Sequence, residues 1–305
     1  MTEKDILFFY SIRKPGEETL DETRRRFFSN PPEIDSTYVE WHSQLAYLFS
    51  EFKKFCDKNG IQFFLMGGSY IGAVRQGGII PWDRDGDIGM TRENYNLLKE
   101  KIDSSNTVDL DESLVLINTS ENGKKKRSGY FNKKIIIKGC SKAVCIDVIV
   151  WDRIDIPEEY PVPEFWRLRN TYKTKYSNTE DIFEFDEHAE ENVKHFTQDF
   201  IDDFGSENGA YFIWGLDNFR STRAKKPERI LSADIILPYK TITFLGEQYP
   251  VCNDGDAYIE QEWGDIWTLN IPEIIEGEKK EKLIATLEAN KVVIELQKEE
   301  ANDKQ

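Results

Sequence analysis

The sequence predicts a mixed α/β (α+β) fold, a mixed sheet core with additional helices. Three observations carry this. Leu45, Leu48, Phe49, Phe52 and Cys56 recur at helical spacing. Apolar runs of strand length stand at 61–66, 113–118, 134–139 and 143–151. Helical and extended patterns alternate along the chain, which puts sheet and helix into one core. With 305 residues, 39% hydrophobic and 13% aromatic, the chain can build a large globular core.

Taken in order, residues 1–35 hold a basic run, "TRRRFF", then "NPPEID", and read as a loop or N-terminal arm. Thr37 and Glu40 fit a capping box for the first clear helix, and Asn59–Gly60 stops it. "IQFFLM" reads as a buried strand ending at Gly67. A short helix over Ser69–Arg75, a loop over "QGGIIP" and a short strand at "DIGM" follow. Thr91 can cap a helix carrying Leu97 and Leu98. "SLVLIN", "KIIIKG" and "AVCIDVIVW" are further strands, the first two separated by the polar "ENGKKKRSG". Residues 152–234, rich in aromatics and charge, are expected to be mostly helical. "ILPYKTITFLGEQYPVC" predicts a hairpin around Gly246. Residues 276–305 read as a charged helix with Leu283, Leu287 and Leu296 on its apolar side.

The bulk charge excludes some functions. A net charge of -16 argues against a general nucleic-acid binder, because phosphate backbones need a basic face. The four cysteines form no CxxC pair, so reduced thiols in a cytoplasmic setting are expected. The N-terminal apolar stretch is too short for a signal peptide, and no integral membrane segment is expected.

The chemistry concentrates in "GGSYIGAVRQGGIIPWDRDGDIG", which begins at Gly67, Gly68 and Ser69 and ends with Asp83, Asp85 and Asp87. Asp85 and Asp87 are two apart, so on an extended segment they share a face. Two such carboxylates can hold Mg2+ or Mn2+, and magnesium often completes its shell with substrate phosphates. Asp147, alone in an apolar strand, supplies a third acid that is costly to bury unless paired or metal-bound. The plain alternative is an Asp–Gly turn with no ligand. A calcium loop starting at Asp83 lacks its anchors, since Ile88 and Asn94 stand where Gly and Glu are required. A phosphatase-type DxDG motif lacks its preceding hydrophobic strand. Glycines after a strand let backbone approach a phosphate, and amides at the next helix start can bind it. This order of Gly-Gly-Ser, Asp-x-Asp and a later strand Asp matches a nucleotidyltransferase-like mixed sheet.

"MGGSYIGAVRQGGIIPWDRDGDIGM" closely resembles the signature of the LicD family, which includes the fukutin-related proteins. "CIDVIVWD" is similar to that family's later acidic strand, and "FLGEQYPVCNDGDAYIEQEWGDIW" to its C-terminal element. The chain departs from the family at Arg84, and at Gly86, where an apolar residue is preferred. The resemblance implies a LicD-like nucleotidyltransferase-fold catalytic domain over 36–275. It also implies transfer of phosphocholine or a polyol phosphate from a CDP-linked donor to a glycan or lipid-linked sugar. The implied location is cytoplasmic, with peripheral membrane attachment as a variant. Catalytic candidates are Asp83, Asp85, Asp87 and Asp147, with Asp85, Asp87 and Asp147 as metal ligands. Either Asp83 or Asp147 completes the metal site while the other acts as general base. True nucleotidyl transfer from a nucleoside triphosphate and a non-catalytic glycan-binding protein are the competing readings.

Gly67, Gly68, Ser69, Arg75, Trp82, Arg223 and Lys226 are candidate substrate-binding residues. Arg75 lies within the signature and can reach phosphate. Trp82 can stack on a base or sugar, or pack beneath the loop. Arg223 and Lys226 belong to "FRSTRAKKPERI", which is either a phosphate clamp or a solvated helix face. Asp265 is expected to be structural. His42, His188 and His195 form no metal spacing with cysteines, and His42 is expected at the surface.

Overall fold

Strand β5 (Ile146–Ile154) is the hub of a mixed sheet. The computed structural model describes residues 6, 9–10, 12–30, 36–104, 114–118, 133–137, 144–158, 161, 165, 189–214, 216 and 230–268. Strand β1 (Phe64–Leu65) lies antiparallel to β2 (Gly86–Thr91), and β2 runs parallel to β5. Strands β3 (Leu114–Asn118) and β4 (Lys133–Ile137) extend the sheet beyond β5 in antiparallel order. The second half of β5, Trp151–Ile154, pairs with β6 (Tyr211–Trp214), and β6 pairs with β7 (Ile230–Ser232). The sheet therefore continues where residues 152–234 were expected to be helical. Beta-branched and aromatic residues at 211–214 meet the open edge that β5 offers past residue 151.

The helices form largely where periodicity predicts them. Helix α1 (Leu20–Ser29) is the exception, falling inside the segment expected as an arm. A capping box drives it: Thr19 Oγ1 accepts the Glu22 N–H at 3.2 Å, and Glu22 Oε2 accepts the Thr19 N–H at 2.7 Å. Its Phe27 and Phe28 are buried, so the helix belongs to the folded body. Helix α2 (Ser36–Asn59) buries Leu45, Leu48, Phe49, Phe52 and Cys56 as one stripe. The capping box expected at Thr37 involves a side chain outside the described residues. The expected strand over 61–66 shrinks to β1, because only Phe64 and Leu65 find partner backbone, at Gly89 and Ile88.

Helix α3 (Gly67–Gln76) follows β1 directly, and α4 (Arg92–Ser104) follows β2. Helix α5 (Ala189–Phe204) buries Phe196 and Phe200 in a smaller cluster with Ile154, Phe165 and Ile213. A short helix α6 (Ala233–Ile236) leads to the expected hairpin, β8 (Lys240–Phe244) and β9 (Glu247–Val251). Helix α7 (Gly255–Glu262) closes the described chain, capped by the Asp254 side chain accepting from the Ala257 N–H at 3.0 Å. The charged helix expected at 276–305 lies outside the described residues. Arg92 grips the buried Asp152 with two bonds of 2.7 and 2.9 Å, tying α4 to β5.

Candidate active site

The parallel pairing of β2 with β5 places the acids. Asp87 lies directly opposite Asp147, and Gly86 opposite Ile146. Side chains opposite one another on paired strands share a face. Asp85 and Cys145 stand just before the two strands, drawn together by the Gly86 N–H donating to the Cys145 carbonyl at 2.9 Å. One carboxylate oxygen each from Asp85 and Asp147 and the Cys145 Sγ lie within 4.8 Å of one another. Gly86 occupies its unusual position for a steric reason. The Phe49 ring of α2 packs against it, and a Cβ there would come 2.6 Å from Phe49 Cε2.

The glycine turn grips Asp87 from the other side. Gly67 has φ +52, in the left-handed region, and a Cβ there would sit 2.6 Å from Asp87 Oδ2. The Gly68 N–H donates to Asp87 Oδ2 at 2.9 Å, and the Asp87 N–H donates to Ser69 Oγ at 2.9 Å. A Cβ on Gly68 would collide with Asp83 Oδ2, so Asp83 also abuts this turn. Gly68 and Ser69, expected to offer their groups to phosphate, here hold a catalytic candidate in place. Ser69 is 4% exposed.

Crowding shows in the titration of these acids. Burial, then the charge of Asp85, pushes Asp83 well above the usual carboxylate value of 3.8. Burial followed by Asp85, Asp83 and Asp147 does the same for Asp87. The folded chain thus holds protons that the unfolded chain releases above about 3.8, so metal-free stability falls as pH rises through the raised values. A cation held among the carboxylates would offset that penalty. The donor set fits such an ion: hard carboxylate oxygens suit magnesium or manganese, with one thiol at the margin.

The remaining candidates divide. Arg75 does not join the acids. Its guanidinium lies 3.9 Å from the Phe28 ring centroid and its Nη2 donates to the Thr268 carbonyl at 3.1 Å. It is 4% exposed, and burial lowers its pKa to about 9. The side chain is thus packed between α1 and the C-terminal element. Trp82 is half-buried against the main core, which matches packing beneath the loop. Arg223, Lys226 and the rest of their basic run, together with His188, lie outside the described residues. Asp265 pairs with Arg24 and caps the Trp267 N–H at 3.0 Å, a structural role.

One residue that sequence reasoning placed at the surface belongs to the site's frame. His42 Nε2 lies 2.9 Å from the Asp83 carbonyl oxygen. That oxygen can only accept, so Nε2 carries the proton. Next to it, the Arg84 guanidinium stacks over Trp41 at 4.8 Å. Trp41 and His42 together hold the acidic loop on α2. Spacing alone hid this, since His42 and Asp83 are 41 positions apart.

Residues 60–138 match the family model described as LicD/FKTN/FKRP, nucleotidyltransferase domain. The chain is also 46% identical over 44 residues to the lipopolysaccharide cholinephosphotransferase LicD of Haemophilus influenzae. That match covers 14% of this chain and spans 17% of the length of the relative. No described helix is long and apolar enough to cross a membrane.

Proposed function

We propose, from the match of residues 60–138 to the LicD/FKTN/FKRP nucleotidyltransferase domain, that this protein is a metal-dependent phospho-alcohol transferase. It moves phosphocholine or a polyol phosphate from a CDP-linked donor to a glycan or lipid-linked sugar. The observation that supports the reading is the gathering of Asp85 and Asp147 with Cys145 at the starts of β2 and β5, with Asp87 paired opposite Asp147. The three aspartates would hold the cation, with Mg2+ or Mn2+ the fitting ion. Bound there, a divalent ion supplies charge neutralisation to a diphosphate.

The chain's own groups supply the rest. Gly68 and Ser69 keep Asp87 aimed at the site through its carboxylate and its amide. Asp83 adjoins Asp85 and abuts the glycine turn but is not among the ligand atoms gathered from Asp85, Cys145 and Asp147. Burial and the charge of Asp85 raise its pKa. Asp147, gathered with Asp85, is the ligand in this reading, and Asp83 the general base. Donor choice rests on the likeness to the cholinephosphotransferase.

The test is incubation with magnesium, acceptor extract and CDP-choline, CDP-ribitol, CDP-glycerol or nucleoside triphosphates. Acceptor-dependent CMP release from one CDP-alcohol is the expected result. Pyrophosphate release with a nucleotide-labelled product would instead establish nucleotidyl transfer.

A further inference from the structure

Tyr258, on α7, is fully buried, and its hydroxyl accepts the N–H of Gly67 at 3.3 Å. The next amide along, that of Gly68, is the one that donates to Asp87 Oδ2. Two consecutive amides of one turn are therefore fixed from opposite sides. A tyrosine from the C-terminal element holds the first, and an acid of the site takes the second. We infer that Tyr258 is a positioning residue for Asp87, acting through the Gly67–Gly68 turn; this rests on the metal-site reading above.

The surroundings make the contact rigid. The Tyr258 ring meets Tyr70 of α3 edge to face, centroids 5.7 Å apart at 61°. Tyr70 in turn presses its hydroxyl against Gly255, where a Cβ would overlap it. The two tyrosines wedge α7 against the start of α3. Gly67 has little room to move, because its α-carbon faces the Asp87 carboxylate so closely that no Cβ fits. Without the hydroxyl, the Gly67 N–H is left buried and unsatisfied. Re-aiming it toward another acceptor rotates the peptide that precedes Gly68 and so disturbs the bond to Asp87. A C-terminal segment nearly two hundred positions downstream thereby sets the geometry of the first acidic strand.

The experiment compares wild type with Tyr258→Phe, which keeps the ring and removes the oxygen. Tyr239→Phe is the control, since the Tyr239 hydroxyl is buried with no hydrogen-bond partner among the described residues. Two readouts are taken on the full chain: Mn2+ affinity without substrate, by calorimetry, and amide hydrogen exchange over residues 64–70. The expected result is faster exchange in that segment and Mn2+ binding weakened about tenfold in Tyr258→Phe, with Tyr239→Phe like wild type in both. Unchanged exchange overturns the inference. So does faster exchange with unchanged Mn2+ affinity, since the hydroxyl would then only stabilise the core. Wild-type protein that binds no Mn2+ overturns the metal reading instead, and the exchange arm alone then decides whether Tyr258 holds the turn.

Discussion

The two ends of α3 treat charge in opposite ways. At its start, four carboxylates of like sign converge, and burial with mutual repulsion raises Asp83 and Asp87. At its other end, Arg75 is buried beside α1, where Arg24 pairs with Asp265 and donates through Nε to the Trp267 carbonyl at 2.6 Å. Arg24 is matched there by Asp265, while Arg75 is held by the Thr268 carbonyl and the face of Phe28. A fold can afford matched buried charge as scaffolding, but like charges gathered at strand ends cost stability unless a ligand offsets them. The difference separates the proposed site from the end that holds the molecule together.

Breaking the acidic end should have the largest effect. Asp85→Asn is expected to lower turnover by about 10³-fold or more, the scale of several kcal/mol of transition-state stabilisation. Its thermal midpoint in metal-free buffer should equal or exceed that of wild type, because one repelling charge is gone. Steady-state kinetics and calorimetry check both halves. A variant that turns over normally would show that the cluster is only a turn.

The basic end should respond in the reverse sense. Arg24→Ala removes charged hydrogen bonds to Asp21, Asp265 and the Trp267 carbonyl, so a stability loss of about 2–3 kcal/mol is expected. Activity per folded molecule should hold. Denaturant unfolding beside active-fraction kinetics measures the two separately. A loss of turnover without a loss of stability would move this end into the site.

His42 sharpens the boundary between the two. It belongs to the framework of α2 yet bonds the backbone of an acidic residue. His42→Ala should cost about 1 kcal/mol in kcat/KM, roughly fivefold, with a smaller change in stability. Equal losses in both quantities would make it scaffold alone.

Much of the acidic end was legible in the sequence because it is local. Gly67 to Asp87 lie within one short stretch, and the spacing of Asp85 and Asp87 on an extended segment already puts them on one face. The helical stripe of α2 and the apolar run of β5 were readable for the same reason, since amphipathic periodicity is a local signal. Beta strands are harder. The shortness of β1 and the sheet at 211–214 depend on which backbone lies alongside, and a neighbour is not written in the strand itself.

The sequence by itself determined that three aspartates and a glycine turn stand together as the candidate site, because residue type and short spacing carry that information. Only the tertiary structure decided the rest. It turned Arg75 away from the acids onto Phe28, and brought His42 and Tyr258 to the candidate site. Each of these depends on contacts between residues far apart in the chain, set by how whole elements pack rather than by any local pattern.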